Sequence, residues 1–226
     1  MLEALRMSDG VEEVLEFGYD SFRIRSVQDV DALYKRLLEL PPSHPDFIDE
    51  RIPYWAELWP SAIGMADWLC RNQTIIQGKT VLEIGCGLGL PGIVASMHAK
   101  QVRMTDYMEE PLQWASMNWR LNRDDHADVS TFDWRQPESM EPAEVVLASD
   151  VAYEKRMFEP LLSAFDQLVL PGGLVVLSEP GRALATDFFG RLDQKGFSRT
   201  VEEVPVQRKG IAYSVRVHLF RKANSV

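Results

Sequence analysis

Carboxylates recur in this 226-residue chain where an apolar run gives way to a turn. Glu83 lies in "KTVLEIGCGLGLPGIV", just ahead of Gly85, Gly87 and Gly89. Asp106 closes "QVRMTD", Asp133 precedes Trp134, and Asp150 ends "VVLASD" three residues before Tyr153. A carboxylate in such a place can accept hydrogen bonds from sugar hydroxyls or attract a cation. Glycines let the backbone approach a ligand closely, and the helix that follows aims its free amides at it. The pattern is that of a nucleotide cradle, and two cofactor classes compete for it.

The register separates them. In the dinucleotide fingerprint G-x-G-x-x-G, the first glycine follows the strand directly. Taken from Gly85, the third glycine falls on Leu90, and the literal match starts two residues late, at Gly87. Pro91 removes an amide where a pyrophosphate needs donors. A sulfonium nucleoside, S-adenosylmethionine, has no pyrophosphate and fits better. Glu83 then offers negative charge near the sulfonium, Asp106 accepts the ribose hydroxyls, and Asp133 with the neighbouring Trp134 backbone meets the adenine. Tyr54, Trp55 and Trp59 present aromatic faces to the cation, a contact of about 0.5–2 kcal/mol. Asp150 and Tyr153 line the wall where the methyl acceptor docks. Blander roles stay open: a structural glycine turn, helix caps at Asp106 and Asp150, and aromatics that plug the core.

These residues need a scaffold. From Lys79 onward, strand patterns at 80–84, 101–105, 127–131, 144–148 and 174–178 alternate with helical ones at 92–99, 109–121, 155–169 and 182–194. Such alternation implies a parallel sheet with right-handed crossovers. "FSRTVEEVPV" and "IAYSVRVHLF", joined by a short turn, must pair antiparallel. The expected fold is therefore α/β, a Rossmann-like sheet that is mostly parallel and closed by a C-terminal antiparallel hairpin. Residues 76–226 form the core. Residues 1–75 form a dependent N-terminal cover: a hairpin about Tyr19-Asp20, a helix over 29–40 with Val30, Leu33, Leu37 and Leu40 on one face, and a helix begun by Pro60.

Composition narrows the partners. The net charge of −10 repels a phosphate backbone, so nucleic acid is not expected. The short basic pairs Arg208-Lys209 and Arg221-Lys222 read as solvated strand ends. Two cysteines and four scattered histidines build neither a disulfide framework nor a metal centre. No apolar run approaches the roughly 20 residues of a membrane helix. A cytoplasmic protein with no membrane partner is the expectation.

The segments "PYWAELWPSA", "VLEIGCGLGLPGIVAS", "MTDY", "STFDW" and "VLASDVAY" resemble, in order and spacing, the family 16-type seven-strand S-adenosylmethionine-dependent methyltransferases, and "PYWAELWP" is most similar to the branch that methylates the electron-transfer flavoprotein β subunit. The resemblance implies a seven-stranded methyltransferase fold, S-adenosyl-L-methionine as cofactor, and a protein lysine as acceptor. It implies cofactor contacts at Trp59, Glu83, Gly85, Gly87, Gly89, Asp106, Trp134 and Ala148, and an acidic-x-x-aromatic signature at Asp150 and Tyr153. A small-molecule N- or O-methyltransferase and a non-catalytic nucleoside-binding module are the alternatives.

Overall fold

The computed structural model describes residues 10–224. Seven strands form one sheet in the order β5-β4-β3-β6-β7-β9-β8. They are β3 (Thr80–Ile84), β4 (Gln101–Asp106), β5 (Asp128–Thr131), β6 (Ala143–Ser149), β7 (Val169–Glu179), β8 (Phe197–Arg208) and β9 (Ile211–Lys222). The strands β3 to β7 run parallel, and β9 pairs antiparallel with both β7 and β8. The expected mostly parallel sheet with its C-terminal hairpin is thus the observed one. The hairpin turn is Lys209-Gly210, both at positive φ, which matches the twist of the paired strands.

Period-two alternation sorts the side chains of the central strands between two apolar layers. Val81, Val145, Leu147, Leu174 and Val176 face one way. They pack against α3 (Pro60–Arg71), α4 (Leu90–Ala95) and α5 (Glu109–Asn122). Leu82, Ile84, Val146, Ala148, Val175 and Leu177 face the other way, against α6 (Phe158–Leu168) and α7 (Ala185–Gln194). Burial of both faces explains why these strands read as near-continuous apolar runs.

The N-terminal elements lean on the first layer. Strands β1 (Gly10–Phe17) and β2 (Asp20–Val27) form a separate hairpin. Its turn is Gly18-Tyr19, one residue earlier than the sequence suggested, because glycine suits the first central position of a two-residue turn. The free edge of β2 is held by side chains of α5. Asn118 accepts from Arg25 N–H at 2.7 Å and donates to Arg25 C=O at 3.0 Å, and Asn122 bridges Arg23 in the same way. Two asparagines thus stand in for a neighbouring strand. Helix α1 spans Val30–Leu38, capped by the Asp29 carboxylate, and buries none of its residues completely. Its expected apolar face is weaker than the spacing implied: Leu40 lies beyond the helix, and Val30 and Leu33 are only half-buried at the core's margin. A single turn, α2 (Pro45–Ile48), then leads into the segment that borders the site.

Candidate functional site

The strand order reverses at β3, whose neighbours β4 and β6 both arrive by crossover. Ligands in open α/β sheets bind at such a switch point, beyond the carboxyl ends of the strands. A cavity of about 760 Å³ opens there, within the range of small-molecule sites. Its walls come from residues 49–62, the loops after β3, β4, β5 and β6, and Arg182 after β7.

The glycine loop forms its floor. Gly85, Gly87 and Gly89 have φ of 63°, 51° and 82°, a region side chains disfavour. The Cys86 N–H donates to Thr105 C=O, and the Gly87 N–H donates to Asp106 Oδ2 at 2.9 Å. Asp106 also accepts from its neighbour's amide, Tyr107 N–H, at 2.8 Å. Among the described residues no cation offsets this carboxylate, and burial pushes it up to about 6, against the pull of those backbone donors. Asp106 is therefore an acceptor that faces the cavity.

Glu83 is placed differently from the sequence expectation. It is fully buried and does not line the cavity. Alternation along β3 turns it, like Val81, toward α4, where Oε2 accepts from Gly92 N–H at 2.9 Å. Gly92 must be glycine for this: an added Cβ would come within 2.5 Å of that oxygen. Burial pushes the Glu83 carboxyl up to about 8, the Gly92 amide opposing and Asp106 assisting. Its work is to join strand and helix behind the loop, outside the cavity lining. Ala148 is a second correction. It is completely buried in the α6/α7 layer, and Ser149, Asp150 and Val151 are the residues of that strand end that reach the cavity.

Trp134, Asp133, Trp59, Asp150 and Tyr153 all border the cavity. The Asp133 carboxylate is bonded by Arg135, with Nε at 2.8 Å and Nη2 at 2.8 Å. The Trp134 ring lies over Gly85. Its indole Nε1 and that of Trp55 are buried donors without a partner, pointing to a ligand that supplies acceptors. Trp59 caps no helix with its side chain; its Nε1 donates to Tyr54 C=O at 2.6 Å. Tyr54 meets Tyr153 edge to face at 5.6 Å between centroids and Trp59 at 6.1 Å.

Asp150 sits at φ 54°, an uncommon conformation that recurs at functional sites. Its N–H donates to Ser178 C=O at 2.8 Å. Oδ2 accepts from Ser61 Oγ at 3.3 Å, and Oδ1 accepts from Arg182 Nε at 2.9 Å with Nη2 also at 2.9 Å. Tyr153 stands beside it, its phenol pushed up to about 12, first by burial and then by its neighbours Glu154, Tyr54, Asp106 and Asp150, so it stays protonated.

A family model described as lysine methyltransferase matches residues 54–195, more than half of the chain and all of the strand ends just described. The chain belongs to this lysine methyltransferase family. Similar curated proteins include a histone-arginine methyltransferase of Rattus norvegicus, 30% identical over 137 residues (54% of this chain, 60% of that one). A histidine protein methyltransferase homologue of Dictyostelium discoideum is 30% identical, over 59% of this chain and 44% of that one. A protein N-lysine methyltransferase of Danio rerio is 29% identical, over 57% and 62%. The chain thus spans about half of the length of these relatives. Among solved structures, magnesium protoporphyrin IX methyltransferase of Synechocystis PCC 6803 with bound S-adenosylmethionine shares the fold. Its TM-score is 0.57 at 16% identity, over 86% of this chain and 92% of that one. N-methyltransferase NodS of Bradyrhizobium japonicum gives 0.56 at 19%, over 81% and 100%.

In this lysine methyltransferase scaffold, Tyr107, Arg51, Arg135 and Arg182 are among the cavity residues that the sequence did not single out. Tyr107, next to Asp106, lies between two guanidiniums, Arg51 at 4.7 Å and Arg135 at 5.0 Å. Its hydroxyl donates to Asp49 at 2.7 Å and accepts from Arg135 at 2.7 Å. Arg182 lies two residues beyond the turn's Pro180. A charged residue just past a strand's carboxyl end was the available signal for both Tyr107's neighbour and Arg182. Neither partner could be assigned before the loops were folded together.

Proposed function

We propose that this chain is an S-adenosylmethionine-dependent methyltransferase that acts on a lysine side chain of a protein, in a reducing cytoplasm. The observation that carries the reading is a single crevice with two carboxylates at the ends of separate strands, Asp106 facing a cradle of glycines and Asp150 facing Tyr153. When bound, the cofactor supplies an electrophilic methyl carbon on a sulfonium.

The chain's own residues supply position. Asp106 accepts the ribose hydroxyls, and the unpaired Trp55 and Trp134 indoles donate to acceptors of the nucleoside. The rings of Tyr54, Trp59 and Tyr153 shield the cation from water. Asp150 aligns the acceptor nitrogen, and Tyr153, protonated, donates or accepts one hydrogen bond beside it. An unperturbed lysine is roughly 0.1% or less neutral at pH 7, so the crevice must also favour loss of a proton. The relatives named for lysine, arginine and histidine methylation all act on side-chain nitrogens, which supports a nitrogen acceptor; lysine is our choice among them.

The test is transfer of a tritiated methyl group from S-adenosylmethionine to lysate of the native host, followed by mass spectrometry of the labelled protein. Label on lysine is expected. Asp150→Asn should lose at least about a hundredfold of transfer while its affinity for S-adenosylhomocysteine stays within about twofold. Full turnover in that variant would remove Asp150 from the reaction, and absence of S-adenosylhomocysteine binding to the wild type would remove the function.

A further inference from the structure

The acceptor wall contains a contradiction if Asp150 acts alone. A bare carboxylate attracts an ammonium and holds its proton, raising the pKa of the amine that must become the nucleophile. The structure does not leave Asp150 bare. The guanidinium of Arg182 lies on Oδ1 through both Nε and Nη2, each at 2.9 Å. The carboxylate is 11% exposed and the guanidinium 38%, so both reach the cavity they line.

Arg182 is placed there by buried structure. The Gly181 and Arg182 amides donate to Glu179 Oε2 at 2.7 and 2.5 Å. Glu179 is itself buried at the end of β7, and its Oε1 lies 3.3 Å from Nε2 of the buried His218 on β9. Burial alone would raise the Glu179 carboxyl; the His218 ring and the two amides hold it below its usual range instead. A fixed carboxylate thus anchors the turn from which Arg182 extends.

We propose that Arg182 sets the charge state of the acceptor. By neutralising Asp150, it lets the crevice hold the acceptor nitrogen as a neutral amine. The inference rests on the methyltransferase reading above and deepens it: Arg182 is a positioning and tuning residue that acts through Asp150. The bound ammonium releases one proton to solvent. The nitrogen lone pair then forms the N–C bond as the C–S bond breaks, with the electron pair left on sulfur, and the methylated ammonium sheds a second proton to solvent if it is to react again.

The surrounding charges do not supply the same effect. Tyr153, on the loop after β6, has Glu154, Tyr54, Asp106 and Asp150 around it, and the other guanidiniums that line the cavity, Arg51, Arg135 and Arg156, are bonded to Asp46, Asp133 and Glu154. None of these three guanidiniums is bonded to Asp150; Arg182 is. Behind Arg182 stand Glu179 and His218. Arg182 is therefore the positive charge in contact with Asp150. A positive neighbour within a few ångströms typically moves a pKa by one to three units, and one unit is a tenfold change in the protonation equilibrium.

The experiment uses two probes on the full chain. One is S-adenosylhomocysteine. The other is sinefungin, its analogue in which an amine-bearing carbon replaces sulfur and carries a nitrogen where the methyl departs. Calorimetry from pH 6 to pH 9 gives the ratio of the two Kd values, the preference for the amine. Arg182→Gln is expected to raise that preference about tenfold at pH 7.5 and to move its decline upward by about one pH unit, with S-adenosylhomocysteine affinity within about twofold of wild type. Arg182→Lys, which keeps the charge, is expected to restore the wild-type ratio. Adding Asp150→Asn to Arg182→Gln is expected to cancel the increase. An unchanged ratio in Arg182→Gln, or the same increase in the double variant, overturns the proposal while S-adenosylhomocysteine binding leaves the underlying function intact. Failure of the wild type to bind S-adenosylhomocysteine sinks both.

Discussion

Asp106 and Asp150 end strands two places apart in the sheet and look into one cavity, yet they are held in opposite ways. Asp106 is surrounded by backbone amides, has no cationic partner among the described residues, and is pushed up to about 6 by burial. Asp150 is bonded by a hydroxyl and a guanidinium from two distant elements. The first arrangement leaves a carboxylate with spare acceptor capacity for neutral hydroxyls. The second makes a nearly neutral pair against which a nitrogen can be oriented. Residue type alone does not distinguish them; the partners do. Backbone donors come from the residue's own loop and its neighbour, whereas counterions must be carried in by tertiary folding.

The largest effect on cofactor affinity should come from removing the acceptor of the cofactor half. Asp106→Ala is expected to weaken S-adenosylhomocysteine binding by about 10- to 100-fold, since a hydrogen bond to a charged group contributes roughly 1.5–3 kcal/mol. An affinity unchanged by calorimetry would erase the contrast drawn between the two carboxylates.

Acid should reach the same group without mutation. The Asp106 pKa is raised in the fold, so the folded protein takes up its proton at a higher pH than an ordinary aspartate does. Its ionised form, the better acceptor, is mostly present above about pH 6 and is lost as pH falls through that value. Binding of S-adenosylhomocysteine is therefore expected to weaken by about tenfold between pH 7 and pH 5. A flat profile over this range would mean that Asp106 contributes no charge-dependent contact.

Glu83 sharpens the comparison from the side of stability. With its carboxyl raised to about 8, the folded state binds a proton that the unfolded chain has released. Its contribution is present in full below about pH 4.5 and is lost as pH rises toward 8, so stability measured by urea should decline across that window. Glu83→Gln should flatten the decline by on the order of 1–3 kcal/mol, less than the full shift implies because the site relaxes. Equal slopes for the two proteins would place the Glu83 pKa near its ordinary value.

The smallest effect is expected where the cover meets the loop after β4. Tyr107→Phe removes the hydroxyl shared by Asp49, Arg51 and Arg135. Those groups are partly exposed, and partly exposed ion pairs contribute about 0–1 kcal/mol. A loss of about 1 kcal/mol or less in urea unfolding is expected; a much larger loss would show that this cluster is part of the core.

The carboxyl-end position of Asp106 and Asp150, the glycine loop between β3 and α4, and the parallel half of the sheet were legible from the chain because each is a local matter. Apolar runs, glycines with no Cβ, and strand–helix spacing act over a few residues. The burial of the Glu83 and Ala148 side chains outside the cavity was not legible, for a related reason. Nearness to a strand end suggests access to the site, but a period of two decides which way a side chain points, and only the packed layers reveal which face is covered.

Sequence by itself determined which residues are available at the rim of the crevice. Tertiary structure alone decided what each one faces: Arg182 on Asp150, Arg51 and Arg135 about Tyr107, and Glu83 behind the loop. The reason is physical. Local geometry follows from steric preferences of neighbouring residues, whereas a counterion or an unpaired donor becomes defined when elements distant along the chain are brought within hydrogen-bond reach and water is excluded from between them.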